Sequence, residues 1–269
     1  MQHVAGGAAS DASAASRLGG IGGDGAEPAS VGRRRRAQYP GEGLAHSDGA
    51  AEAAGRGHLL DRQVRALQKA LVLVDVQNEY ARLPLRIRYP RLHDCLERIE
   101  RVLDAAESAG LPVVCVQHAG PPDGAIFAPG GKGFELCPRI ERRRTPQWKC
   151  IVKHHGSIYA GTDLAAWLHE QGVDTVTLVG FMANNCVLAS AAWGEAIGLA
   201  TEVLSDAVGA INLRNRAGKA DARTVHTTLM ALLHSNWAAV ATADDWCRAL
   251  ARREPLPRCN LVASATAPF

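Results

Sequence analysis

An almost unbroken run of apolar residues, interrupted by a single aspartate, constrains this chain more than any other feature. Residues 70–76 read ALVLVDV. A strand that is exposed on one face alternates apolar and polar residues, whereas a near-continuous run is typical of a strand covered on both faces in a parallel sheet. The run from Ala70 to Val76 therefore predicts a buried strand of a parallel sheet that has helices packed on both sides.

Further strand-like runs of apolar residues follow along the chain and alternate with helical patterns. Leu92, Leu96, Ile99, Leu103 and Ala106 form one apolar stripe of a helix that Gly110 can end. Further strands are predicted over residues 111–117, 150–153, 175–179, 200–204 and 238–242. This alternation predicts an α/β fold: a doubly wound, about six-stranded and mostly parallel sheet with helices on both faces, in a Rossmann-type three-layer arrangement.

The composition divides the chain into three parts. Residues 1–60 hold 13 Gly and 14 Ala but only seven of Leu, Ile, Val and Phe, too few to offset the entropy of ordering them. We therefore expect a disordered, low-complexity extension over residues 1–65, a folded α/β domain over 66–250 and an irregular tail over 251–269. The segment from His118 to Lys149 is rich in Gly and Pro without periodicity, and we expect a loop of that length to border the functional site.

Charge and cysteine content exclude several classes of protein. No stretch approaches the roughly 18 apolar residues of a membrane-spanning helix. The formal charge of +3 is too small to argue for nucleic acid, although the run from Arg33 to Arg36 leaves a phosphate-binding or localisation role open. Seven cysteines without a CxxC pair indicate reduced thiols and a cytoplasmic location. We expect neither a nucleic-acid nor a membrane partner.

Three chemically reactive residues follow predicted strands. Asp75 ends the first strand, Lys153 closes the third, and Cys186 opens the helix after the fourth. Ligands of open parallel sheets bind outside the carboxyl ends of the strands. Taken singly, Asp75 and Lys153 could be a buried ion pair and Cys186 a small core residue.

Together, the three residues indicate nucleophilic catalysis. A thiol at a helix N-terminus beside an ammonium is expected to have a lowered pKa. The carboxylate can accept the thiol proton and later deliver it to a leaving amine.

Three motifs that contain these residues, with a fourth further along the chain, resemble the isochorismatase-like cysteine hydrolases, which include nicotinamidase and N-carbamoylsarcosine amidohydrolase. They are DVQNEY, IVKHHGSIYAGTDL, VGFMANNCV and LSDAVGA, and the resemblance spans about residues 68–248. It implies a catalytic triad of Asp75, Lys153 and Cys186 that cleaves the C–N bond of a small amide or carbamoyl compound through a thioester. Isochorismate-cleaving members of the family typically lack the nucleophilic cysteine.

The resemblance also implies how the rest of the site is built. The oxyanion hole would use the backbone amides of Met182 and Cys186, with a cis peptide bond between Phe181 and Met182. A substrate pocket is expected from Gln77, Tyr80, Phe181 and Asn185. The family commonly forms homo-oligomers, so we expect a dimer or a tetramer.

No cofactor is expected, because the metal-binding pattern of nicotinamidases is missing. Those enzymes carry an Asp-x-His and further histidines near the second strand, whereas His118 stands there without an Asp two residues before it. His154 and His155 are adjacent and would point to different sides, so we interpret them as loop residues. Two other functions stay open: isochorismatase-type hydrolysis of a vinyl ether, and a noncatalytic scaffold that retains the fold.

Overall fold

The computed structural model describes residues 68–268, so the disordered extension predicted for residues 1–65 lies outside the described residues. The main sheet contains β1 (Lys69–Val74), β2 (Val113–His118), β3 (Lys149–Lys153), β4 (Thr175–Phe181), β5 (Ala200–Gly209) and β8 (Ala238–Ala241), and a small hairpin contains β6 (Leu213–Asn215) and β7 (Gly218–Ala220). The helices are α1 (Leu92–Ser108), α2 (Pro138–Glu141), α3 (Leu164–Glu170), α4 (Leu188–Ala196), α5 (Ala222–Ser235), α6 (Ala243–Arg252) and α7 (Leu261–Thr266). A 3₁₀ turn (Asn78–Ala81) and a π-helical turn (Ala183–Val187) complete the set.

All strand pairs of the main sheet are parallel, in the order β3-β2-β1-β4-β5-β8. The chain runs outward from β1 through β2 to β3, then crosses to β4 and runs outward in the opposite direction. The strand order reverses between β1 and β4, and the crevice at such a switch point is where doubly wound folds bind ligands. The predicted six-stranded, doubly wound fold is confirmed.

Two apolar cores cover the two faces of this sheet. On one face, Leu71 and Leu73 of β1 pack with Ile99 and Leu103 of α1 and with Trp246 of α6. On the opposite face, the alternate β1 residues Ala70 and Val72 belong to a core that includes residues of α3, α4 and α5. Because successive residues of β1 are buried on opposite faces, its sequence is apolar from Ala70 to Val74.

Several predicted boundaries are wrong, each for a local reason. The first strand ends at Val74 rather than Val76, because Asp75 has a left-handed backbone conformation with φ of 49°. The segment 118–149 contains α2. The tail predicted to be irregular contains α7, where the Asn260 side chain accepts a hydrogen bond from the Ala263 amide and caps the helix.

None of the helices within residues 68–268 has the length and apolar character that crossing a membrane requires.

Candidate active site

β1 and β4 approach closely at the switch point, where the candidate residues meet. Gly180 of β4 has φ of +111°, and a Cβ at this position would lie 2.2 Å from the carbonyl oxygen of Val74. Only glycine combines this backbone conformation with the absence of a side chain. The ends of β1 and β4, which carry Asp75 and lead to Cys186, are thereby held side by side.

Asp75 sits in a tight turn directly after β1. Its amide donates to the carbonyl of Val116 at 2.9 Å, and its own carbonyl accepts from the amide of Gln77 at 2.7 Å. A left-handed, non-glycine residue at a strand end is an uncommon and costly conformation that is found most often at functional sites. The turn fixes a carboxylate that is fully buried.

Lys153, the last residue of β3, brings the other candidates together. Its Nζ lies 2.8 Å from Asp75 Oδ2 and donates to Cys186 Sγ at 3.3 Å. The side chain is also fully buried. The Asp75 carboxylate faces both the Lys153 ammonium and the Cys186 thiol, and its contacts with these two groups lower its pKa against the larger effect of burial.

Cys186 is held by a π-helical turn that precedes α4. Its carbonyl accepts a 2.6 Å hydrogen bond from Ser190 Oγ, and this hydroxyl in turn accepts from the amide of Ile158. The turn follows a cis peptide bond between Phe181 and Met182, the bond that the family resemblance implied. π-Helical turns inside helices occur frequently at functional sites.

The protonation state of the thiol differs from the expectation. Burial, followed by the negative charge of Asp75, raises the pKa of Cys186 to about 12, and the ammonium of Lys153 only partly opposes this rise. The prediction of a lowered thiol pKa is therefore wrong, because desolvation exceeds the effect of the cation. Burial also raises the pKa of Asp75, against the opposing charge of Lys153. With this pKa, Cys186 is a thiol at neutral pH.

Aromatic rings enclose this cluster. Tyr80 packs against Phe127 and Phe181, with ring centroids 5.3 Å and 5.5 Å apart. Burial, followed by the negative charge of Asp75, raises the pKa of Tyr80, and the ring of Phe127 also packs edge to face on His118. Phe127 belongs to the long segment 118–149, which borders the site as expected.

The other two residues predicted for the pocket make different contacts. The amide of Gln77 bonds only to protein backbone: it donates to the carbonyls of His118 and Phe134 and accepts from the His118 amide. Both donors and the acceptor are used, so Gln77 fastens the end of β2 to the loop after β1 instead of facing a ligand. Asn185 is exposed, and its side chain lies against Gly156.

One residue of the cluster was not recognised as part of the site from sequence. The Nδ1 atom of His118, the last residue of β2, lies 3.2 Å from Lys153 Nζ. Its place at the end of a predicted strand was the signal that could have found it, but metal binding was the only role weighed for His118. A metal ion at His118 would lie beside the Lys153 ammonium, so the donors present do not fit a metal here.

Potential metal ligands lie close together at one other place within the described residues. The one group of three close ligand atoms there comprises His93, Asp94 and Glu97 on the surface of α1. His154 is a loop residue as interpreted, and its ring bonds to the carbonyl of Ala119 at 3.1 Å.

The fold and the site define an α/β protein with Rossmann strand order that carries a buried aspartate, lysine and cysteine at its switch point. The chain belongs to the isochorismatase family, because the model of the isochorismatase domain matches residues 69–245. A solved isochorismatase-like structure from Burkholderia xenovorans LB400 is 40% identical, with a TM-score of 0.72, and the match covers 74% of this chain and 95% of that one.

Two further relatives have names that state a reaction. Maleamate amidohydrolase of Pseudomonas putida is 29% identical over 155 residues, which cover 52% of this chain and 71% of that protein. The crystal structure of N-carbamoylsarcosine amidase from Thermoplasma acidophilum is 27% identical, with a TM-score of 0.53, and covers 66% of this chain and 97% of that one. The chain is a hydrolase of the isochorismatase family.

Proposed function

We propose that this hydrolase cleaves the C–N bond of a small amide or carbamoyl compound, with Cys186 as nucleophile and Asp75 as the proton carrier. The observation that carries the proposal is the buried contact set of Lys153, which is 2.8 Å from the Asp75 carboxylate and 3.3 Å from the Cys186 sulfur. The names of two relatives, an amidohydrolase and an amidase, support the choice of bond.

The protonation states set the order of the steps. Because Cys186 rests as a thiol, its proton passes to the Asp75 carboxylate as the sulfur attacks the carbonyl carbon. The protonated Asp75 then donates this proton to the nitrogen, the C–N bond breaks, and an amine or ammonia leaves a thioester on Cys186. Water attacks the thioester, Asp75 accepts a proton from it and returns that proton to the sulfur, and a carboxylic acid or carbamic acid is released.

The negative charge of the tetrahedral intermediate needs donors. The backbone amides of Met182 and Cys186 are the proposed pair, because both belong to the turn that follows β4 and carries the nucleophile. Fixed donors of this kind contribute about 3 kcal/mol each in the transition state. Tyr80, Phe127 and Phe181 pack on one another, and Phe127 also packs on His118 of the cluster; apolar surface beside the site favours a small, flat acyl group over a large polar one.

A panel of small primary amides, ureido acids and carbamoyl compounds tests the proposal through ammonia release. We expect Cys186→Ala to lower the turnover of any active compound by about 10³-fold or more, and Asp75→Asn to lower it by about 10²- to 10⁴-fold. Cys247→Ala, which changes a half-buried thiol outside the cluster, is the matched control and should keep its activity.

Two results would contradict the proposal. Amide turnover that survives in Cys186→Ala would exclude a thioester. Pyruvate release from isochorismate that persists in Cys186→Ala, with no amide hydrolysed, would favour the vinyl ether reaction instead. A chelator should leave amide turnover unchanged.

A further inference from the structure

The ring of His118 occupies a fixed position beside the lysine of the site. His118 and Lys153 are register partners on the parallel strands β2 and β3. The backbone of His118 is fastened on both sides by Gln77, whose side chain accepts from the His118 amide at 2.8 Å and donates to the His118 carbonyl at 3.0 Å. Phe127 packs on the ring edge to face, with centroids 5.2 Å apart. Only the Nδ1 side of the ring contacts a charged group of the cluster.

The contact with Lys153 dictates the proton state of this ring. An ammonium has three donors and no acceptor, so Nδ1 must accept and the ring proton must lie on Nε2. Burial and the charge of Lys153, with smaller contributions from His154 and His155, lower the pKa of His118 to about 4, and a hydrogen bond with the His155 backbone opposes them. His118 is therefore a neutral acceptor at physiological pH.

The acceptors of Lys153 change during the proposed reaction. Four atoms lie within 3.3 Å of Nζ: Asp75 Oδ2, Cys186 Sγ, His118 Nδ1 and the carbonyl oxygen of His155. When the thiol proton is on Asp75 and the sulfur is bonded to carbon, the first two no longer provide negative charge. A buried ammonium without acceptors is strongly disfavoured. At that stage Asp75 offers only a neutral, weaker acceptor oxygen, and the carbonyl of His155 and Nδ1 of His118 become the main acceptors.

We propose that His118 is a positioning residue: its Nδ1 holds Lys153 in place and charged while Asp75 carries the proton of the reaction. The part of this inference that concerns the role of His118 in turnover rests on the proposed function. The tautomer and the contact with Lys153 do not depend on any substrate, so they can be tested separately.

The first test uses the resting protein and needs no substrate. ¹⁵N NMR of the histidine rings should give a neutral His118 with its proton on Nε2 from pH 8 down to about pH 5. Lys153→Met should make the His118 ring easier to protonate, because a neighbouring cation is removed. A ring that carries a proton on Nδ1, or that is cationic at pH 6, would overturn the proposal whatever reaction the enzyme performs.

The second test compares two substitutions of similar size at position 118. In His118→Asn, the side-chain oxygen can take the place of Nδ1 and accept from Lys153, whereas His118→Leu offers no acceptor. A hydrogen bond to a charged group corresponds to about a 10- to 100-fold change in rate. We expect His118→Leu to lower kcat by that factor with KM little changed, and His118→Asn to restore most of it.

A chemical measurement separates this inference from the proposed function. Alkylation of Cys186 by iodoacetamide, followed by mass spectrometry of the peptide that contains it, should be slower in His118→Leu than in His118→Asn at pH 8, because Lys153 lowers the thiol pKa. If no amide is hydrolysed but this difference appears, the positioning role stands and the proposed reaction fails. Equal behaviour of the two variants, in kcat or in alkylation, would overturn the positioning role. A melting curve of each variant verifies folding. If His118→Leu does not fold, the NMR test on the unmodified protein decides between the outcomes.

Discussion

Replacing Lys153 with Met measures how strongly the buried ion pair is coupled to folding. Met has a similar length but no charge, so the substitution leaves the buried carboxylate of Asp75 without its partner. At 2.8 Å and an effective dielectric constant near 20, the direct attraction is about 6 kcal/mol. Part of it offsets the desolvation of both groups, and removing one partner of such a pair typically destabilises a protein by about 3–5 kcal/mol.

The double substitution Asp75→Asn with Lys153→Met provides the matched control, because it removes both charges. We expect it to recover at least about 2 kcal/mol relative to Lys153→Met alone, since no unpaired charge stays buried. Urea unfolding at pH 7, followed by tryptophan fluorescence, gives the free energy of each variant. A Lys153→Met protein within about 1 kcal/mol of the original chain, or a double variant less stable than the single one, would refute the reasoning.

The pH dependence of Lys153→Met gives a second test. Burial already raises the pKa of Asp75 while Lys153 lowers it, so loss of the lysine raises this pKa further. Between the unfolded pKa and the raised folded value, the folded state binds more protons than the unfolded state. The destabilisation should therefore shrink as pH falls from 7 to 5. A constant difference across this range would mean that Asp75 does not become protonated in the variant.

Two further substitutions test the framework of the site, both by urea unfolding. Gly180→Ala should destabilise the protein by about 3 kcal/mol or more, because its Cβ would lie 2.2 Å from the Val74 carbonyl oxygen. Gly198→Ala is the control, since Gly198 also has a positive φ but has open space around it, and it should lose about 1 kcal/mol. Similar losses in the two variants would contradict the steric argument. Trp246→Phe should lose about 1–3 kcal/mol, since the buried indole donates to a hydroxyl on β4 and a carboxylate on β5. The exposed Trp193→Phe should change stability by less than about 0.5 kcal/mol, and equal effects at the two tryptophans would argue against these hydrogen bonds.

The layered fold could be predicted because burial on both faces leaves a direct trace in sequence. The apolar run of β1 has that trace, and its neighbours repeat it. The ends of the strands were harder to predict from sequence. The left-handed turn at Asp75 depends on its amide reaching Val116 of the neighbouring strand, and no local pattern reports such a contact.

The site could be predicted in part, because strand ends locate reactive residues but not their surroundings. The end positions of Asp75, Lys153 and Cys186 were visible in sequence, and the structure brings all three into contact. The contribution of His118 depends on its register with β3, which sequence did not specify. The prediction of a lowered thiol pKa failed because it considered the helix terminus and the lysine but not the desolvation.

Burial of the cluster governs how a proton can move within it. At rest the ammonium of Lys153 balances the carboxylate of Asp75, while Cys186 and His118 are neutral, so the net charge is zero. Moving the thiol proton to Asp75 exchanges one negative site for another and leaves the net charge unchanged. Burial raises the pKa of both competing sites, and the transfer depends on the difference between them. A pKa of about 12 for the Cys186 thiol in its site is therefore compatible with the proposed role of Cys186 as a nucleophile at neutral pH. Asp75, the proposed base, is equally buried. Attack on a carbonyl also removes the developing negative charge from sulfur as that charge forms.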